Sequence, residues 1–189
     1  MVNDTLAEFY MMTGKFSDQN DFKNKLTDAL SHGNKIIQLK NKGITGFDEY
    51  LELANIANSI CLQFNAILLL ATSVDIFQQT NVNGLHLNSH ALSDHLERPV
   101  ATNKLLSISC HTLEEMKLAE KFSADIILLS PVKATFSHPE LEGIGWQQFG
   151  QMIKQVSCPV YALGGMQVTD LSDAKQAGAQ GVAVSSLWK

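Results

Sequence analysis

Cysteine is scarce and poorly placed for either a disulfide framework or a metal knuckle. Only three occur in 189 residues, Cys61, Cys110 and Cys158, and none stands in a CxxC pattern. That odd, widely spaced set suits reduced and mostly buried thiols in a cytoplasmic protein. No uninterrupted apolar run approaches the roughly 20 residues needed to span a bilayer. Residues 1–9 carry acidic side chains and no long apolar core, unlike a signal peptide. Basic blocks are also missing. Fourteen Lys and Arg face nineteen Asp and Glu, a net charge of −5, which argues against wrapping nucleic acid. An anionic ligand therefore needs local positive charge. No GxGxxG follows the first apolar run, so a dinucleotide fingerprint is lacking too.

What is present is a regular alternation. Short apolar runs fall at residues 6–12, 35–39, 65–70, 84–87, 105–109, 125–129, 159–163 and 181–184. Between them lie segments with helical signals. Phe22, Leu26, Ala29 and Leu30 fall at helical spacing within 18–31, and Gly33 closes that segment. Thr112 is a natural N-cap for a helix over 112–122, with Glu114 and Glu115 in its first turn. Further helices are expected at 47–62, 74–79, 146–156 and from 169. Nearly continuous apolar strands are covered on both faces, as in parallel α/β sheets. Eight of them predict a (β/α)8 TIM barrel, in one domain over 1–189. Such barrels typically take roughly 250 residues, so this one needs trimmed helices. The sequence stops at Trp188-Lys189, so the last helix is expected to be truncated. An apolar groove beside strands one and eight would follow, which a second copy in a homodimer would cover.

In such a barrel, chemistry sits at the carboxyl ends of the strands. The runs Pro159-Val-Tyr-Ala-Leu-Gly-Gly-Met166 and Ala179-Gln-Gly-Val-Ala-Val-Ser-Ser186 are two adjacent strands that open into small residues. The backbone around Gly164, Gly165, Ser185 and Ser186 is thus a candidate phosphate cradle. Gln38 and Lys40 share one face of strand two, with Leu39 on the other. Inward polar groups need partners, which points to ligand contact. His86 ends strand four, and His90 and His95 follow. The His86–His90 spacing resembles a helical metal pair, but His86 lies at a strand end, so no metal site is assigned. Ser109 and His111 close strand five. The 130–138 loop supplies Lys133, Thr135, Ser137 and His138, which offer charge and donors for phosphate. Cys158 lies at the opposite end and reads as core.

Taken together, these residues resemble the thiamine phosphate synthase/TenI family of β/α barrels over nearly the whole chain. Gln38-Leu-Lys-Asn-Lys42 is similar to the family's Gln-Leu-Arg-x-Lys, Gly84-Leu-His-Leu87 to its Gly-Val-His-Leu, and Ile108-Ser-Cys-His-Thr112 to its Val-Ser-x-His-Thr. Leu163-Gly-Gly-Met166 and Gly181-Val-Ala-Val-Ser185 resemble its closing phosphate-binding segments. Stretches such as Leu129-Ser-Pro-Val132 and Thr135-Phe-Ser-His-Pro139 are closer still to the barrel half of bacterial proteins that fuse it to a Nudix hydrolase, although no Nudix box occurs here.

The resemblance implies a transferase that joins a pyrimidine pyrophosphate to a thiazole phosphate with help from Mg²⁺. Gln38, Lys40 and Ser109 would face the pyrimidine pyrophosphate, with His86 beside them. Thr135, Ser137 and the Gly164, Gly165, Ser185 and Ser186 segments would hold the thiazole phosphate. The departures lie in the charged groups. The family's metal-binding carboxylates fall at Ala71-Thr72 and Ala91, its pyrophosphate-binding arginine is Lys40, and its lysine after the Thr-x-Thr motif is His138. Lys40, Lys133 and His138 would then have to replace the metal. The TenI tautomerase histidine falls at Pro131. The other readings are a non-catalytic phosphate-ligand module, a partner of a separate Nudix hydrolase, and an unrelated phosphate-binding barrel enzyme.

Overall fold

The computed structural model describes residues 6–40, 46–135 and 142–188. Eight parallel strands close on themselves in sequence order. They are β1 (Phe9–Met12), β2 (Ile36–Lys40), β3 (Ile67–Ala71), β4 (Gly84–Asn88), β5 (Leu105–Cys110), β6 (Ile126–Leu129), β7 (Val160–Ala162) and β8 (Gly181–Val184). The helices between them are α1 (Gln19–Ser31), α2 (Phe47–Gln63), α3 (Val74–Phe77), α4 (Ser89–Ser93), α5 (Leu113–Lys121), α6 (Gly145–Ile153) and α7 (Leu171–Gln176), the last entered through a 3₁₀ turn at Val168–Asp170. Three of the seven are six residues or shorter, so the expected trimming falls on α3, α4 and α7.

The helix starts follow local chemistry. Asp18 accepts from the amides of Asn20 and Asp21 at 2.8 and 2.9 Å, which caps α1. Thr112 and Glu115 form a reciprocal capping box on α5. At other ends the expectation overshoots. β1 starts at Phe9 rather than residue 6, and α6 stops at Ile153 rather than 156. Apolarity continues past both ends, but there Leu6 serves as an interior side chain and Val156 packs from a loop.

Strand alternation sorts the side chains into two cores. Tyr10, Met12, Ile36, Leu69, Ile126, Leu128, Tyr161 and Ala183 meet inside the barrel. Met11, Ile37, Leu39, Leu70 and Ile108 point outward and pack with Phe22, Leu26, Tyr50, Leu53, Met116 and Phe149 of the helices. Leu39 is therefore on the outer face and Gln38 and Lys40 on the inner one, as their parity requires. The barrel closes where Val182 donates its amide to the Glu8 carbonyl at 2.9 Å. Gly181 permits this seam, because a Cβ there would lie 1.8 Å from the Glu8 oxygen.

The groove expected beside β1 and β8 is filled by the chain's own Trp188. Its indole nitrogen donates to the Lys15 carbonyl at 2.9 Å, and its ring lies 5.4 Å from that of Phe22. Gly14 leaves room for it, since a Cβ there would come within 2.8 Å of the indole. One large aromatic thus covers apolar surface beside the start of the chain. No helix among the described residues is long and apolar enough to cross a membrane.

Candidate functional site

The carboxyl end of the barrel carries two polar regions of different construction. The first lies inside the barrel. His86 on β4 is buried, with Nδ1 at 3.0 Å from Ser107 Oγ and Nε2 at 2.9 Å from Ser109 Oγ. The Tyr10 hydroxyl lies 3.4 Å from the same Nδ1 and 3.3 Å from Ser107 Oγ. The register explains the grouping: His86 pairs with Ser107, and Asn88 with Ser109, so both serines present the inner face beside the histidine. Burial, helped by the charge of Lys40, pushes the His86 pKa down to about 3. The imidazole is therefore neutral throughout the physiological range. Burial raises the Tyr10 phenol well above its ordinary value, so it stays protonated.

Gln38 is only 2% exposed, and its side-chain carbonyl Oε1 has no hydrogen-bond partner. A buried acceptor left unpaired costs about 1–3 kcal/mol, which is tolerable where a ligand donor completes it. Thr13 steadies the strand beneath. Its amide donates to the Gln38 carbonyl at 2.9 Å, and its hydroxyl accepts from the Lys40 amide at 3.0 Å. Lys40 lies on the inner face, level with Ala71 and His86 across β3 and β4.

The second region is built from loops over β6, β7 and β8. Val132 and Lys133 donate their amides to the carbonyls of Leu163 and Gly164 at 2.9 and 3.0 Å, which lays the β6 loop on the turn after β7. Gly164 and Gly165 adopt φ of +90° and +69°. A Cβ on Gly164 would lie 2.6 Å from Pro131, and one on Gly165 would lie 2.6 Å from the Ala134 carbonyl. The two glycines are thus required by loop-to-loop contact and by backbone conformation. Gly165, Ser185 and Ser186 are exposed at the adjacent ends of β7 and β8. The Trp188 amide returns to the Ser185 carbonyl at 3.1 Å and tightens the turn.

Lys133 does not stand ready as a cation for a ligand. Its ammonium is held 2.7 Å from Asp170, and Asp170 also accepts from the Gln167 amide at 2.9 Å. Desolvation works to raise the Asp170 carboxyl, but the bonds from Lys133 and Gln167 outweigh it and hold its pKa below the ordinary range. The pair is not visible in the sequence, because Asp170 reaches Lys133 only after β7 and its turn bring it there.

His111 turns away from the barrel interior and approaches the Ser130 carbonyl with Nδ1 at 2.9 Å. Thr135 is half-buried at the end of the described loop, while Ser137 and His138 lie outside the described residues. Among the described residues no three His, Cys, Asp or Glu converge as metal ligands, and His90 is exposed on α4. Burial pushes the Cys110 and Cys158 thiols up to about 12, with nearby carboxylates adding to it, so neither is an activated nucleophile. Sequence reasoning missed Tyr10, Thr13, Ser107 and Asp170. The available signals were weak: Ser107 shares the parity of Ser109, and Thr13 directly follows β1.

Comparison with known proteins identifies the family and matches the barrel fold. The family profile described as thiamine monophosphate synthase matches residues 9–187. A candidate thiamine-phosphate synthase, numbered 2, from Aquifex aeolicus is 31% identical over 183 residues, which are 97% of this chain and 98% of that protein. The thiamine-phosphate synthase of Methanobrevibacter smithii is 25% identical over 98% of this chain and 88% of its own length. Among solved structures, the thiamine phosphate pyrophosphorylase of Pyrococcus furiosus superposes with a TM-score of 0.76 at 22% identity, covering 95% of this chain and 85% of that one.

Proposed function

Since this chain belongs to the thiamine monophosphate synthase/TenI family of thiamine biosynthesis, we propose that its barrel mouth binds thiamine phosphate or its thiazole phosphate half. The pyrimidine ring lies over Gln38, His86 and Ser109. The phosphate lies at the exposed ends of β7 and β8, on the backbone of Gly165, Ser185 and Ser186, with Thr135 beside it. The observation that carries this reading is the buried Gln38 side-chain carbonyl without a partner, on the inner face of the barrel that also carries the half-buried Ser109 hydroxyl. An unused acceptor and a hydroxyl on one inner face fit the edge of a nitrogen heterocycle.

Turnover as a synthase would break the carbon–oxygen bond to pyrophosphate and form a carbon–nitrogen bond to the thiazole. Mg²⁺ supplies charge stabilisation to the leaving pyrophosphate in the family. The side chains at the corresponding positions do not fit that ion: Ala71 and Ala91 carry no donor atom and Thr72 only a neutral oxygen, whereas Mg²⁺ is held by carboxylates. Lys40, on the inner face of β2, is assigned to the pyrophosphate. Electrostatic stabilisation of that kind is worth on the order of 10²–10³-fold in rate for a single donor, so condensation is expected to be slow. The same two alanines favour a second reading, a phosphate-ligand module without turnover.

Calorimetry with thiamine phosphate, beside a condensation assay with and without Mg²⁺, tests both. Binding with slow, metal-indifferent condensation supports the first reading, and binding without condensation the second. No binding of thiamine phosphate or thiazole phosphate defeats both.

A further inference from the structure

The hydrogen count inside the barrel fixes which nitrogen of His86 carries its proton. The Tyr10 hydroxyl, Ser107 Oγ and His86 Nδ1 form a closed triangle with edges of 3.3, 3.0 and 3.4 Å. Tyr10 and Ser107 are fully buried, and within this triangle they find their side-chain partners. If Nδ1 carried a hydrogen, three donor hydrogens would compete for two oxygen acceptors, and one buried hydroxyl would be stranded. With Nδ1 bare, Tyr10 donates to Ser107 and Ser107 donates to Nδ1, or Tyr10 donates to Nδ1 and Ser107 to Tyr10. Every hydrogen is then used. The cost of stranding a buried donor selects the tautomer with the proton on Nε2 by roughly 5- to 150-fold. The imidazolium form, with both nitrogens protonated, is removed by its low pKa.

We infer that Tyr10 and Ser107 are positioning residues that hold His86 as its Nε2–H tautomer and thereby leave the Ser109 hydroxyl hydrogen free to donate to the ligand. Nε2–H donates to Ser109 Oγ across 2.9 Å, so the hydroxyl hydrogen of Ser109 must find its acceptor elsewhere. Ser109 is half-buried near the carboxyl end of β5. A ring that offers an unprotonated nitrogen or a carbonyl oxygen there accepts that hydrogen, whereas a ring that offers N–H reaches only the remaining lone pair and leaves the hydrogen unused. This specificity rests on the ring-binding reading above, whereas the tautomer itself does not.

Long-range ¹H–¹⁵N correlation on histidine-labelled protein reads the tautomer directly, with the His86 signals assigned by their loss in His86→Gln. The expected pattern is a single Nε2–H imidazole from pH 5 to 8, retained in Ser109→Ala. It gives way to a mixture, or to Nδ1–H, in the Tyr10→Phe/Ser107→Ala double variant. An Nδ1–H or cationic His86 in the unmodified protein overturns the inference, and needs no variant to fold. An Nε2–H pattern unchanged in the folded double variant overturns the role of Tyr10 and Ser107. For the ligand arm, a pyrimidine with bare ring nitrogens should bind at least tenfold more tightly than a pyrimidinone bearing N–H. Equal binding of the two contradicts donation from Ser109 to the ring. Binding of neither, with His86 still Nε2–H, sinks the ring-binding reading and leaves the tautomer standing.

Discussion

The barrel interior and the β7/β8 rim solve ligand contact in opposite ways. Inside, Tyr10, Ser107, His86 and the half-buried Ser109 form a chain of side chains on four strand positions, and Gln38 on the same inner face keeps one acceptor unused. At the rim, the candidate contacts are backbone groups on turns. Two glycines and the Lys133–Asp170 pair hold these turns in place. The interior is specific because low dielectric makes each unmatched polar atom expensive. The rim is permissive, because exposed amides take any phosphate of suitable reach. Ring identity should therefore be read inside and charge at the rim.

The largest separation between the regions is expected in acid. His86 has a folded pKa of about 3 against an ordinary 6.5. Below pH 6.5 the unfolded chain takes up a proton that the folded chain refuses, so stability falls as pH drops from 6.5 toward 3, by up to about 1.4 kcal/mol per pH unit. Denaturant titrations at successive pH values should show this slope, and His86→Gln should flatten it. Ring affinity itself should stay level from pH 5 to 8.

Next in size is Gly165→Val. It forces a β-branched residue to φ near +69° and drives its Cβ against the Ala134 carbonyl. Calorimetry should show thiamine phosphate binding weakened by roughly 100-fold, the worth of about two charge-assisted bonds. Affinity for a phosphate-free pyrimidine should barely change. Equal losses for both would merge the two regions into one. Ser109→Ala is the mirror experiment: about a tenfold loss for the pyrimidine, from one hydrogen bond, with inorganic phosphate binding intact.

Asp170→Asn gives the smallest effect. It removes the charge facing Lys133 and should lower stability by about 1 kcal/mol, visible as a fall in Tm of a few degrees. Because the Asp170 carboxyl is held below its ordinary pKa, the stability it adds is full above the ordinary Asp range. It is lost as pH falls through the folded value. The variant should lack that loss, and calorimetry should find its ring affinity unaltered.

Much of the interior was legible from parity. Gln38 and Lys40 on one face of β2, with Leu39 on the other, follow from the two-residue period of a strand, and Ser109 from the same rule on β5. Tyr10 and Ser107 escaped because aromatic and hydroxyl side chains read as ordinary strand residues until the registers of β4 and β5 set them around His86. The glycine pair was visible as a feature but not for its reason. Its left-handed backbone lies under the 131–134 loop, a contact that nothing near residue 164 in sequence announces. Lys133 looked like a ligand cation because its partner is 37 residues away.

The sequence by itself determined the eight apolar runs, their alternation with helices and the family landmarks, since these rest on local periodicity and on motifs a few residues long. Tertiary structure alone decided that Trp188 packs against Phe22 over Gly14, that Lys133 is bound to Asp170, and that a tyrosine and a serine orient His86. Each of these needs strands far apart in the chain to be brought within about 3 Å, the reach of a hydrogen bond, or a ring to meet a gap left by a distant glycine. Closure of the barrel supplies that proximity.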